Sequence, residues 1–170
     1  KDSARANEVL GKGAATGDIA QMFDLAENYH NERKFAEARG MWAKIVVAEK
    51  GPLKKQGDLF RNKAAFELAT AMLKGVGGPP DPVEGRKLLE RVAIAGESET
   101  VEAGFLLGTM LAAGEFGAPD PAKAKFWYER AAKNGSANAM FALGMMHKTG
   151  AGIPQNPVEA RKWIAAAANN

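Results

Sequence analysis

The chain has 170 residues, 46% apolar and 25% charged, a balance that supports one folded core and excludes a disordered polar tract. Its formal charge of +3 arises from basic residues interspersed with acidic ones, so no nucleic-acid surface is implied, and the lack of cysteine excludes disulfides and thiolate metal sites. No apolar run approaches the roughly 18 residues of a membrane helix, and abundant alanine and glycine beside scarce Val, Ile and Thr predict an all-α fold.

The first segment, "ANEVLGKGAATGD" at 6–18, reads as a lone second helix of a hairpin. Ala6, Val9 and Gly17 carry the spacing of Ala124, Trp127 and Gly135. The chain therefore reads as starting halfway through a repeat, as a half repeat or capping helix over 1–17, and its first residue, Lys1, suggests a processed form or an excised piece.

Four helical hairpins follow, aligned on Leu25, Leu68, Leu107 and Leu143. In the last three, a Gly falls at +7 (Gly75, Gly114, Gly150), Asp or Asn at +13 (Asp81, Asp120, Asn156) and Pro at +14 (Pro82, Pro121, Pro157). A small residue sits at +17 (Gly85, Ala124, Ala160), a large apolar one at +20 (Leu88, Trp127, Trp163) and Ala at +25. Each position has a physical role: the glycine takes the left-handed conformation that ends the first helix, and the Asp or Asn caps the second, whose first turn tolerates proline. Glu84 and Glu159 stand where capping-box partners would, and Lys123 breaks that pattern. The glycines of "KGVGGPPDP" at 74–82 thus turn the chain and do not cradle a phosphate.

The first hairpin has Leu25-Ala26, Tyr29 at +4 and its small residue, Ala38, at +13, so four residues of hinge are missing and no glycine pair survives. Extra length elsewhere falls in "EKGPLKKQGD" at 49–58 and "GESET" at 96–100, the expected loops or lengthened helix ends. The basic cluster Lys54, Lys55, Arg61 and Lys63 is interrupted by Asp58 and reads as a solvated face.

These residues resemble a known family. "SANAMFALGMMHKTGAGIPQNPVEARKWIAAAA" is similar to a Sel-one-like repeat (SLR), whose pattern runs A-x-x-x-L-G-x-x-Y, G-x-G, D/N, A and W-Y-x-x-A-A. Residues 103–135, with "FLLGTML", "AGEFG" and "DPAKAKFWYERAAKNG", match as well, and 64–96 match with Leu88-Leu89 in place of the Trp-Tyr pair. The first unit resembles a tetratricopeptide repeat with its shorter hinge. The resemblance implies a right-handed α-solenoid as a single domain, with a tetratricopeptide-like repeat at 18–51 and Sel-one-like repeats at 59–96, 101–135 and 136–170. It further implies a non-enzymatic scaffold or adaptor that binds a protein or peptide and needs no cofactor, placed in the bacterial periplasm or envelope, in signalling or regulation, with the cytoplasm as the other setting. An inhibitory or immunity-type protein occluding a partner enzyme, through Glu115, Phe116 and Lys148, is the alternative.

Partner contacts are expected opposite the buried face of each first helix, at −2, +2 and +5, since successive residues turn by about 100°. Position −2 is Phe23, Phe66, Phe105 and Phe141. Position +2 is Glu27, Thr70, Thr109 and Met145, and +5 is His30, Leu73, Ala112 and Lys148. The phenylalanine column has two readings, rings filling gaps between hairpins or an apolar ladder along a concave groove. His30 and His147 read as hydrogen-bonded helix-end residues and not as a shared metal site, and Trp42, Trp127 and Trp163 as second-helix core. Glu84 with Glu90, and Glu97 with Glu99, lie on exposed segments and lack the cleft that paired acid catalysis requires.

Overall fold

A computed structural model describes residues 2–48, 54–95 and 98–170. Among them the chain forms nine helices and no strand: α1 (Asp2–Ala15), α2 (Ile19–Asn31), α3 (Phe35–Val47), α4 (Lys54–Lys74), α5 (Pro82–Ala95), α6 (Ser98–Ala113), α7 (Pro121–Lys133), α8 (Ala137–Thr149) and α9 (Pro157–Ala168). The fold is all-α, of the solenoid-like repeat class, with hairpins α2/α3, α4/α5, α6/α7 and α8/α9. The chain divides into two compact units, Lys1–Leu88 and Leu89–Asn170, and the division falls within α5.

One hydrogen bond closes every hairpin. The backbone N–H at the start of each second helix donates to the carbonyl at +4 of the first helix: Lys34 to Tyr29 at 2.8 Å, and Asp81 to Met72, Asp120 to Leu111 and Asn156 to His147 at 2.9 Å. Each acceptor is the third residue from its helix end, one of the carbonyls that a helix terminus leaves unpaired. The shorter hinge of the first hairpin removes four residues between donor and acceptor and keeps the bond.

The hinge glycines Gly75, Gly114 and Gly150 have φ of 68°, 77° and 73°, as their position requires. In α2/α3 the left-handed residue is Arg33, with φ 59°. A side chain there costs roughly 1–2 kcal/mol, and glycine gives back part of that gain through its own unfolded-state freedom. Arg33→Gly is therefore expected to stabilise the protein by about 0.5–1 kcal/mol, read as a higher urea midpoint at unchanged slope.

The caps form as expected: Asp81 Oδ1 accepts from the Glu84 N–H at 3.0 Å, Asp120 Oδ1 from Lys123 at 3.0 Å, and Asn156 Oδ1 from Val158 and Glu159 at 3.1 Å. The capping boxes do not. The N-cap N–H groups that Glu84 and Glu159 would accept from are already given to the first helix, and these carboxylates face Lys87 and Lys162 instead.

In the first unit the core is Met22, Leu25 and Ala26 of α2, Ala38, Trp42 and Ile45 of α3, and Ala64, Leu68 and Ala69 of α4. Gly85 on α5 has no Cβ because one would lie 2.9 Å from Leu73 Cγ and 3.1 Å from the Ala69 carbonyl oxygen. The helix α1 packs on α2 through a face other than the expected one. Asn7 is half-buried, donates to Glu32 and accepts from Asn28, whereas Ala6 is exposed and Val9 is 60% exposed. In α7 the matching residues, Ala124 and Trp127, are buried.

Arg61 is buried and no part of a solvated face: its guanidinium donates to the Ala48 carbonyl at 3.2 Å and to Asp58 at 3.3 Å, tying the end of α3 to α4. The expected loops at 49–53 and 96–97 lie outside the described residues, as does Glu97 of the Glu97–Glu99 pair, while 54–58 form a lengthened start of α4.

In the second unit the buried residues include Leu107 and Leu111 of α6, Trp127 and Tyr128 of α7, Leu143 of α8 and Ala160 of α9. Glycine after the anchor leucine admits the second helix: a Cβ on Gly108 would lie 2.6 Å from the Tyr128 ring, and one on Gly144 would lie 2.6 Å from Ile164 Cγ1. Arg130 reaches from α7 to the last turn of α5, donating to the carbonyls of Ala93 at 2.9 Å and Ile94 at 3.1 Å. Trp163, expected in the second-helix core, is only half-buried.

Candidate protein-binding face

The phenylalanine column divides by surroundings. In the first unit Phe23 is half-buried with its ring centroid 5.7 Å from that of Phe60 on α4, so it fills the space between successive first helices. Phe66 is half-buried as well. In the second unit Phe105 stands 5.9 Å from the Tyr128 ring of its own hairpin, and Phe141 is 52% exposed.

Around Phe105 and Phe141 the face opposite the buried leucines is open. Thr109 and Ala112 on α6, and Lys148 on α8, are exposed, and Met145 is half-buried. The Thr109 hydroxyl donates to the Phe105 carbonyl at 3.0 Å and accepts from the Tyr128 phenol at 3.2 Å. Burial pushes the Tyr128 phenol up from its ordinary value, against the smaller opposing effect of the Thr109 hydroxyl. Tyr128 therefore remains an uncharged donor beside the face. At the hinge, Glu115 is exposed and Phe116 half-buried.

The first unit holds a pocket of about 210 Å³ lined by His30 and Thr70, two of the expected contacts, together with Trp42, Glu67, Ala71, Lys74 and Val76; Phe23, Glu27 and Phe66 do not line it. His30 is exposed and packs against rings, 5.3 Å from Phe35 and 5.5 Å from Trp42 between centroids. The Thr70 hydroxyl donates to the Glu67 carbonyl at 2.9 Å, and Glu27 is half-buried on α2. Leu73, expected on the open face, points toward Gly85 within its own hairpin, where the missing Cβ makes room for it. His147 also differs from expectation, because its Nδ1 is buried with no hydrogen-bond partner, although its backbone carbonyl closes the hinge. Among the described residues no group of three or more His, Cys, Asp or Glu could hold a metal ion. No helix of the described residues is long and apolar enough to cross a membrane.

This hairpin grammar is that of a known repeat. The family described as "Sel1 repeat" matches residues 62–97, 101–136 and 137–170, well over half of the chain. The chain is a Sel1 repeat protein. Solved structures agree in fold. A Sel1 repeat protein from Oxalobacter formigenes is 21% identical with a TM-score of 0.81, the alignment covering 96% of this chain and 63% of that one. The protein c5321, a protective antigen of uropathogenic Escherichia coli strains displaying an SLR fold, is 24% identical with a TM-score of 0.77 over 96% of this chain and 33% of its own. The Sel1 repeat protein described here thus spans a third of one neighbour and under two thirds of the other. No curated protein matches its sequence.

Sel1 repeat proteins generally mediate protein–protein interaction, and the fold is typically a non-enzymatic scaffold. Sequence periodicity in this Sel1 repeat protein found His30 and Thr70 at the pocket but missed Trp42, Glu67 and Lys74. Nothing in the sequence marked Lys74: the periodicity placed Leu73 on the open face, and only the turn of that leucine toward Gly85 accounts for the next residue of α4 lying at the pocket.

Proposed function

We propose that this Sel1 repeat protein is a binding module that holds a protein or peptide against the open faces of its first helices. The observation that carries this reading is the exposure of Phe141 on α8, at the same repeat position as Phe105 on α6 and opposite the fully buried Leu143. A large apolar ring half in water, one helical turn from the half-buried Met145 and on the same helix as the exposed Lys148, has the composition of an interface anchor beside a polar rim. Phe23, Glu27, His30, Phe66, Thr70, Phe105, Thr109, Phe141 and Met145 are the contacts this reading assigns. The family resemblance supplies its setting, the bacterial envelope, in signalling or regulation.

The test is recovery of the partner from native cells on immobilised chain, followed by affinity measurement with three charge variants. Phe105→Glu and Phe141→Glu should each weaken the partner by about 30-fold or more, the effect of losing an interface hot spot. Phe126→Glu removes an equally exposed ring, 54% accessible, from the second helix α7 and should leave affinity unchanged. Equal affinity in all three folded variants would rule the open face out.

A further inference from the structure

Charge is unevenly spread along the chain. Residues 92–122 hold Glu97, Glu99, Glu102, Glu115 and Asp120 and no Lys, Arg or His, although the whole chain has a formal charge of +3. The helix α6 lies inside this stretch. On its open side Glu102, Phe105 and Thr109 follow at intervals of three and four, so they share one face. Glu102 and Thr109 are exposed, and Phe105 is half-buried.

The Thr109 hydroxyl is engaged on two sides. A carbonyl only accepts, so the bond to the Phe105 oxygen takes the single proton of Thr109. Toward the Tyr128 phenol the same oxygen is therefore the acceptor. One lone pair of Thr109 Oγ1 is left for a partner, and it too can only accept. The Tyr128 ring also packs on Phe105, 5.9 Å away between centroids, and it comes so near α6 because Gly108 has no Cβ. One buried side chain thus fixes both the ring and the acceptor.

We propose that this strip of α6 is a subsite for an arginine side chain of the protein partner. This rests on the reading of the chain as a protein-binding module, and it names the side chain that the module reads. A guanidinium brings five N–H donors and no acceptor, which suits a carboxylate and a hydroxyl that can only accept. Laid on the Phe105 ring, whose face attracts cations, it lies along the helix about 4.5 Å from Glu102 and about 6 Å from Thr109, one turn either way. Its N–H groups can then turn to both. Lysine carries the same charge but has no plane to stack on the ring and no fork to span two acceptors. An acidic segment would meet like charge throughout 92–122.

The experiment is a heteronuclear NMR titration of the 170-residue chain with N-acetyl-arginine amide, its neutral isostere N-acetyl-citrulline amide, and N-acetyl-alanine amide. The Thr109 methyl signal, assigned by its loss in Thr109→Val, should move saturably with arginine, about tenfold more weakly with citrulline, and not with alanine. Added salt should weaken the arginine response, since the charges are exposed. Glu102→Gln should weaken arginine by about threefold. Phe105→Leu, which keeps apolar bulk and loses the aromatic face, should do so by about threefold as well; it isolates the ring, whereas Phe105→Glu adds a charge of its own. Thr109→Val, followed through the Phe105 signals, should weaken arginine by about fivefold, and Thr109→Ser should restore it. Equal responses to arginine and citrulline, no saturable shift on α6, or full binding by Thr109→Val overturns the proposal. The probes need no partner, so their failure alongside loss of the native partner in Phe141→Glu would strike the arginine subsite alone. A saturable arginine response with no partner loss in the phenylalanine variants would strike the open-face reading alone.

Discussion

Leu107→Ala is expected to lower the unfolding free energy by about 2–5 kcal/mol, the usual cost of truncating a buried leucine. Leu107 is wholly buried, and the residue after it is a glycine whose absent side chain lets the Tyr128 ring approach. The leucine therefore sits where α6 and α7 come closest, and neither helix can collapse into a void without pushing that ring. Against a typical domain stability of roughly 5–15 kcal/mol the loss is large. Urea denaturation followed by circular dichroism measures it, with Phe141→Ala as the comparison: a half-exposed ring outside the core should cost no more than about 0.5 kcal/mol. A leucine variant as mild as the phenylalanine one would mean that the anchor position does not hold the hairpin together.

The fold was legible because each repeat spells its punctuation in residues with few alternatives. A left-handed hinge selects glycine at 75, 114 and 150, and an N-cap followed by proline selects Asp81-Pro82, Asp120-Pro121 and Asn156-Pro157. Even the four-residue deletion in the first hairpin could be read from Ala38, since the same helix-to-helix hydrogen bond survives it. What periodicity could not reach was the use of the remaining surface. The capping boxes failed because the N-cap N–H groups are donated across the hinge, a tertiary event invisible to local pattern. Arg61 looked like surface in a run of lysines, yet it anchors the end of α3 through a carbonyl thirteen residues away.

The binding face was less legible for a related reason. Four phenylalanines share one repeat position, but Phe23 meets Phe60 across helices, Phe105 meets Tyr128 within its hairpin and Phe141 stands half in solvent. One repeat position thus has three surroundings, because the neighbour comes from the next first helix for Phe23 and from the hairpin's own second helix for Phe105, while Phe141 stands half in solvent. Equivalence in sequence sets where a side chain begins and leaves open what it touches.

Gly77→Ala should be nearly as damaging as the leucine truncation, at roughly 2–4 kcal/mol, although it adds a single methyl group. Gly77 has φ 73°, where a side chain costs about 1–2 kcal/mol. Its Cβ would also fall 2.2 Å from the carbonyl oxygen of Phe35 and 3.0 Å from the Ala36 nitrogen at the start of α3. Backbone cannot swing aside as a side-chain tip can, so the loop has to lift, at a further cost of about 1–3 kcal/mol partly offset by alanine's smaller unfolded-state entropy. Lifting it also strains the bond that Arg39 Nη1 donates to the Pro79 carbonyl at 2.9 Å, which holds the same loop against α3. Gly17→Ala isolates the steric part, because Gly17 has φ 83° and nothing within 4 Å of the added carbon, so it should cost only about 1 kcal/mol. If the two alanine variants unfold at the same urea concentration, the second glycine of the loop is there for the turn alone; a separation of 1 kcal/mol or more, about the low end of the clash cost, makes it the contact by which one hairpin's loop seats on the helix before it.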